Sequence, residues 1–168
     1  MSTRKFVHLA LYTTLAMGIY GIEAMLPILY PIPGMKLGLA NIITLLVLKR
    51  EGFRSAALVL LCRILLSCFL FGSFVSFFYS LTGGIFCLVS MQAITHLLSG
   101  RALYLTGITG AIFHNIGQIL IAMLLTRTPY IISYLPFLMI SGILTGLFTG
   151  LCAHLTDKYL LVHMKRIP

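Results

Sequence analysis

Apolar stretches of roughly bilayer-crossing length recur along this chain, and few folds accommodate that pattern. Residues 54–71 read RSAALVLLCRILLSCFLF, where Arg63 is the one cation after the first position. A spanning helix needs about 20 mostly apolar residues. Segments near 6–28, 37–48, 54–71, 74–98, 103–126 and 131–155 meet or approach that need, the second being short. The chain is 60% hydrophobic and 9% charged, more apolar surface than a water-soluble fold of 168 residues could cover. The sequence therefore predicts an all-α integral membrane protein. A six-transmembrane-helix bundle fills 1–168 as a single domain, without soluble domain, linker or internal repeat.

The formal charge of +9 does not point to nucleic acid, because there is no basic run or basic helix face. The cations instead sit singly or in pairs at the ends of apolar segments, the pattern of topology signals. With the N-terminus in the cytoplasm, the inner side carries Arg4, Lys5, Lys49, Arg50, Arg54, Arg101, Lys158, Lys165 and Arg166. The outer side carries Lys36 and Arg127. That asymmetry predicts both termini inside, with outer connections at 29–36, Gly72-Ser73 and 127–130. The first apolar run is too long for a cleavable signal and contains Glu23, so it is expected to remain as a helix. Cys62, Cys68, Cys87 and Cys152 lack paired spacing and read as small hydrophobes.

Polar groups at membrane depth are the functional pointers. At 1.5 Å of rise per residue, Glu23 lies roughly 25 Å along an outward-running first helix. Asn41 and Gln118 fall in the same outer half, while Arg63, His114 and Asn115 fall near the midplane. An intramembrane charge costs at least about 2.5–3.5 kcal/mol, so Glu23 and Arg63 require partners or water. They either pair with each other to hold the bundle or line a polar cavity. His114 and Gln118 share a helix face with Gly110, whose missing side chain leaves room for a bound molecule. The expected ligand-binding set is Glu23, Lys36, Asn41, His114, Asn115 and Gln118. Small residues every fourth position mark close helix packing: Gly107 with Ala111, and Gly142, Gly146 and Gly150. The row Ala10, Thr14 and Gly18 either packs within the bundle or docks another membrane protein.

Bond-making chemistry finds no support. Glu23, Glu51 and Asp157 are the acidic residues, too few for an aspartate-rich diphosphate–magnesium motif. No phosphate-binding loop and no His/Cys cluster with metal spacing appears, so no cofactor and no metal is expected.

The outer connection reads PIPGMKLGLANI over 31–42. Pro27, Pro31 and Pro33 stop helix propagation, Gly34 permits a tight reversal, and Lys36 sets a cation at the mouth. Pro31, Pro33 and Gly34 are expected to form a gating loop over the site, the alternative being a rigid turn with a snorkelling lysine.

PIPGMKLGLANI, the following helix ending LKREG, the Arg63 helix, Gly83-Gly84 and GAIFHNIGQ (110–118) together resemble a bacterial family over nearly the whole chain. It is called heptaprenyl diphosphate synthase component I, or the Gx transporter family. Its general pattern is similar to the substrate-binding (S) subunits of energy-coupling factor transporters. That resemblance implies a multi-pass protein of the bacterial cell membrane that binds a scarce metabolite, with flavin-, quinone- and isoprenoid-related molecules as the candidate classes. It also implies docking through the first helix to a transmembrane coupling subunit and ATPases. The family name implies instead a non-catalytic partner of a prenyl synthase subunit, in prenyl diphosphate or menaquinone synthesis; service to extracellular electron transfer is a further non-transport role.

Overall fold

The computed structural model describes residues 2–25, 36–71, 74–98 and 102–164. Within them lie six α-helices: α1 (Thr3–Met25), α2 (Asn41–Glu51), α3 (Phe53–Phe71), α4 (Phe74–Leu97), α5 (Leu103–Thr126) and α6 (Leu135–Met164). A 3-10 segment, Pro129–Tyr134, leads into α6. No strand occurs among the described residues.

Four segments there are long and apolar enough to cross a membrane: Phe53–Leu70, Phe74–Leu97, Leu103–Thr126 and Pro129–Leu161. Their large side chains point outward in numbers no aqueous surface would tolerate, among them Phe69, Leu70, Phe74, Leu124, Ile140 and Leu144. α1 is 23 residues long but less apolar, since it carries Arg4, Lys5, Glu23, three threonines and two tyrosines. α2 has 11 residues, a length of about 16 Å against a hydrocarbon core of about 30 Å.

The short α2 is the centre of the bundle. It contacts α1, α3, α4, α5 and α6. Asn41, Ile43, Thr44, Leu45, Leu46, Val47 and Leu48 are all buried, so it is enclosed on every side. Its boundaries differ from the 37–48 expected from hydropathy, because two glycines set them. Gly38 has φ +79, outside helical space, and the turn closes through Asn41 N–H to the Gly38 carbonyl at 2.9 Å. Gly52, at φ +82, reverses the chain directly into α3. The last turn of α2 is anchored from outside: Arg50 Nε meets Asp157 Oδ1 of α6 at 2.9 Å, and Nη2 donates to the Asp157 carbonyl at 3.0 Å.

α6 also departs from the expected 131–155. Residues 131–134 belong to the 3-10 turn that Pro129 opens, and the helix continues well past 155, through Asp157. At the N-terminal side, α1 begins at Thr3 rather than residue 6, and residues 26–28 lie outside the described residues.

α1 and α2, α4 and α5, and α5 and α6 run antiparallel, and glycine seams bring several backbones together. A Cβ on Gly146 would stand 2.5 Å from Ile108 Cα, and one on Gly150 would stand 2.7 Å from Tyr104 Cα. Gly107 faces the backbone of Gly146 and Gly150 from the other side, so α5 and α6 touch main chain to main chain. α4 runs unbroken through Thr82-Gly83-Gly84. The two glycines there are packing surfaces, Gly84 against Leu60 and Ile64 of α3 and Gly83 against His114 and Gly117 of α5.

Apolar packing forms two clusters. The larger joins residues such as Leu45, Val47, Leu60, Ile64, Cys87, Met91 and Ala153, and the smaller joins Tyr79, Ile119, Ala122 and Leu138. Along α4 and α5, Gly83 and His114–Gln118 fall between them. His114, Asn115 and Gln118 lie at that intermediate level, all three buried.

Candidate functional site

Glu23, near the end of α1, sets the first relationship at this level. It is 6% exposed, and each carboxylate oxygen accepts a backbone hydrogen bond: Gly38 N–H to Oε1 at 2.7 Å, Leu39 N–H to Oε2 at 3.0 Å. These two donors precede α2 and have no helical partner, so the carboxylate caps the entry to α2 from across the chain. Lys36 and Arg63 are the cations that act on it through space. A direct Glu23–Arg63 ion pair does not form: the ion pairs among the described residues are Lys5–Glu51 and Arg50–Asp157.

Lys36, half-buried, extends its ammonium over the ring of Tyr20, 3.5 Å from the centroid. The Arg63 guanidinium carbon lies 5.8 Å from the same centroid. Tyr20 is buried and receives both cations against its ring, which offsets part of their desolvation. Its place in the cluster is invisible in a sequence read by charge alone.

His114 is the hub on α5. Its Nε2 lies 3.2 Å from Gln118 Nε2, and its Nδ1 lies 3.4 Å from Asn41 Nδ2. A neutral imidazole accepts at one nitrogen and donates at the other. The backbone of Gly83 also hydrogen-bonds the ring, on the side where Nδ1 faces α4. Which ring nitrogen carries the proton is set by how these amides and the backbone are oriented. A side chain on Gly83 would collide with this ring, 2.8 Å from Cε1. One on Gly38 would stand 2.8 Å from Asn41 Nδ2 and 3.1 Å from His114 Cδ2. Glu23, Gly38, Asn41, His114 and Gln118 are thus linked through three helices and one turn.

Asn115 turns away from this chain. Its Nδ2 donates to the Leu138 carbonyl on α6 at 2.6 Å, which ties α5 to the helix whose first-turn Pro136 interrupts regular bonding. Gly110 leaves no room for a ligand: the methyl end of Met91 occupies the space a side chain would take, with Cys87 Sγ 3.2 Å away.

Several buried polar atoms at this level have no hydrogen-bond partner among the described residues. They are Asn41 Oδ1, Asn115 Oδ1, Gln118 Oε1, and Nε and Nη2 of Arg63. Each such atom costs about 1–3 kcal/mol if left unmatched.

Ala10, Thr14 and Gly18 lie elsewhere. All three are exposed on the outside of α1, and nothing approaches within 4 Å of the position a Gly18 side chain would take. α1 packs on α2 and α3 alone, so this row faces away from the bundle. Pro31, Pro33 and Gly34 lie outside the described residues. A concavity of about 460 Å³ opens on the bundle surface between Ile85, Phe86 and Val89 of α4 and Phe113 of α5. Its hydroxyls are spent on their own helices, Ser90 on the Cys87 carbonyl and Thr109 on that of Leu105, so it presents hydrocarbon.

Fold and site together define a helical membrane protein whose polar groups are gathered between two apolar clusters. The chain belongs to the heptaprenyl diphosphate synthase component I family, whose model matches residues 12–156. No curated protein and no solved structure matches it.

Proposed function

We propose that this protein is the membrane-embedded binding subunit of an uptake system, similar to the S subunits of energy-coupling factor transporters. Its ligand is held at the level of Glu23, Lys36, Asn41, His114, Asn115 and Gln118. The observation that carries this reading is the set of buried, unmatched amide oxygens and guanidinium N–H groups gathered at one depth. Native interiors satisfy nearly all such groups, and a site kept for a ligand is one reason to leave them unmatched. Six crossings with both termini in the cytoplasm fit the ion pairs Lys5–Glu51 and Arg50–Asp157, which gather Lys49, Arg54 and Lys158 at one end. The exposed Ala10/Thr14/Gly18 row is the surface offered to a coupling subunit, with ATPases supplying the energy. The test is purification from the native membrane followed by mass spectrometry of retained small molecules, with capture of ATPase subunits on a tagged chain. A chain that retains nothing and captures no ATPase sinks the transport reading.

The family's name favours a second reading, a component that accompanies a heptaprenyl diphosphate synthase. On that reading the chain binds a catalytic synthase subunit, and its deletion shortens or removes the long-chain prenyl product. A normal prenyl profile in the deletion strain decides against it.

A further inference from the structure

Arg63 is 3% exposed, and its Nε and Nη2, which have no hydrogen-bond partner among the described residues, are neighbours on one edge of its guanidinium. That edge presents two parallel N–H bonds, the fork that matches the two oxygens of a carboxylate or a phosphate ester. The guanidinium carbon lies over the Tyr20 ring, 5.8 Å from its centroid. The carboxylate that could have met the edge is committed elsewhere, both Glu23 oxygens being held by the Gly38 and Leu39 N–H groups. Lys36 and Arg63 supply two positive charges around that single carboxylate, so one positive charge at this level is left uncompensated. Arginine cannot shed its proton to escape the low dielectric. The remaining unmatched atoms among the described residues, Asn41 Oδ1, Asn115 Oδ1 and Gln118 Oε1, are acceptors and ask for a donor.

We infer that Arg63 is the anion-recognition residue of the binding site proposed above, and that the ligand carries a single oxyanion charge beside a hydrogen-bond donor. The charge balance selects against a diphosphate: three negative charges would meet one uncompensated cation. The inference rests on the binding reading and narrows it to a small monoanionic metabolite.

The test uses the full chain in lipid nanodiscs, with benzoate as the monoanionic probe and benzamide as its uncharged analogue of the same shape. Benzoate raises the thermal midpoint and benzamide does not. Arg63→Lys keeps the charge but removes the planar edge, and weakens the benzoate response at least about tenfold. Arg63→Gln removes the response, but it also alters a buried contact, so the comparison of the two probes on the unaltered chain stands by itself. A monoanion recovered with the protein from its own membrane, and lost from Arg63→Lys, supports the inference equally. Equal responses to both probes, an undiminished benzoate response in Arg63→Lys, or recovery of a neutral molecule overturns it and leaves a binding subunit in place. A chain that retains nothing and answers no probe removes the binding reading itself, and this inference with it.

Discussion

The carboxylate of Glu23 and the backbone of Gly38 stand 2.7 Å apart, fifteen residues distant in the chain, and that contact ties the end of α1 to the start of α2. It gives a buried acid two main-chain partners and gives two main-chain donors their only cap. Most of what can be tested in this protein follows from such pairings of side chain with backbone.

Replacing Glu23 by Ala strips the Gly38 and Leu39 N–H groups of their acceptor in a buried turn. A loss of about 2–4 kcal/mol is expected, read as a lowered thermal midpoint in detergent. Glu23→Gln retains one acceptor oxygen and falls between the two. An unchanged midpoint in Glu23→Ala would show that water reaches this turn freely.

Gly38 and Gly52 share the left-handed backbone region, at φ +79 and +82, but differ in their surroundings. An alanine at either site carries backbone strain of roughly 1–3 kcal/mol. At Gly52 nothing lies within 4 Å, whereas at Gly38 the new methyl meets Asn41 Nδ2 at 2.8 Å. Gly38→Ala should therefore destabilise more and also disturb any ligand response, while Gly52→Ala affects stability alone. Matching effects from the two would separate the Asn41–His114 contact from ligand binding.

The α5–α6 seam predicts a contrast between glycines. Gly107→Ala pushes a methyl into the backbone of Gly146 and Gly150, which cannot rotate away, so a loss of about 1–3 kcal/mol or more is expected. Gly18→Ala meets open space and stabilises α1 by up to about 1 kcal/mol through helix propensity. Gly18→Leu keeps the fold and, on the docking reading, lowers capture of coupling subunits. Full capture by Gly18→Leu would remove α1 as the docking face.

Arg50 reaches Asp157 twice, at the carboxylate and at the backbone carbonyl, with each side chain 15% exposed. Asp157→Asn keeps the carbonyl contact and costs less than Arg50→Ala, which loses both; a deficit of about 1–3 kcal/mol is expected for the latter. A double-mutant cycle should show the two substitutions to be strongly non-additive. Simple additivity would mean that the pair contributes little beyond its separate ends.

Hydropathy and helix rise made the six helices and the depth of the polar residues legible. They put Glu23, Asn41 and Gln118 in the outer half and His114 near the midplane; in the structure His114 contacts both Asn41 and Gln118, and Glu23 holds the turn before Asn41. Azimuth was not legible, because helices apolar on every face give no preferred direction. Hence Asn115, one residue from His114, turns to α6, and Gly110 meets Met91 rather than empty space. Backbone donors leave no trace in composition, so the partners of Glu23 could not be read, and neither could the role of Tyr20 beneath two cations. The anchor of the last turn of α2, Asp157, lies more than a hundred positions from Arg50 and could not be paired with it by spacing.

The central position of α2 has a consequence for how the molecule is made. Lipid cannot solvate a helix that touches five others, and a translocating chain emits α2 well before α6. Until α6 arrives, Arg50 lacks Asp157 and the middle of the molecule lacks a wall. Assembly of this bundle must therefore wait for α6, which seals an interior element laid down four helices earlier.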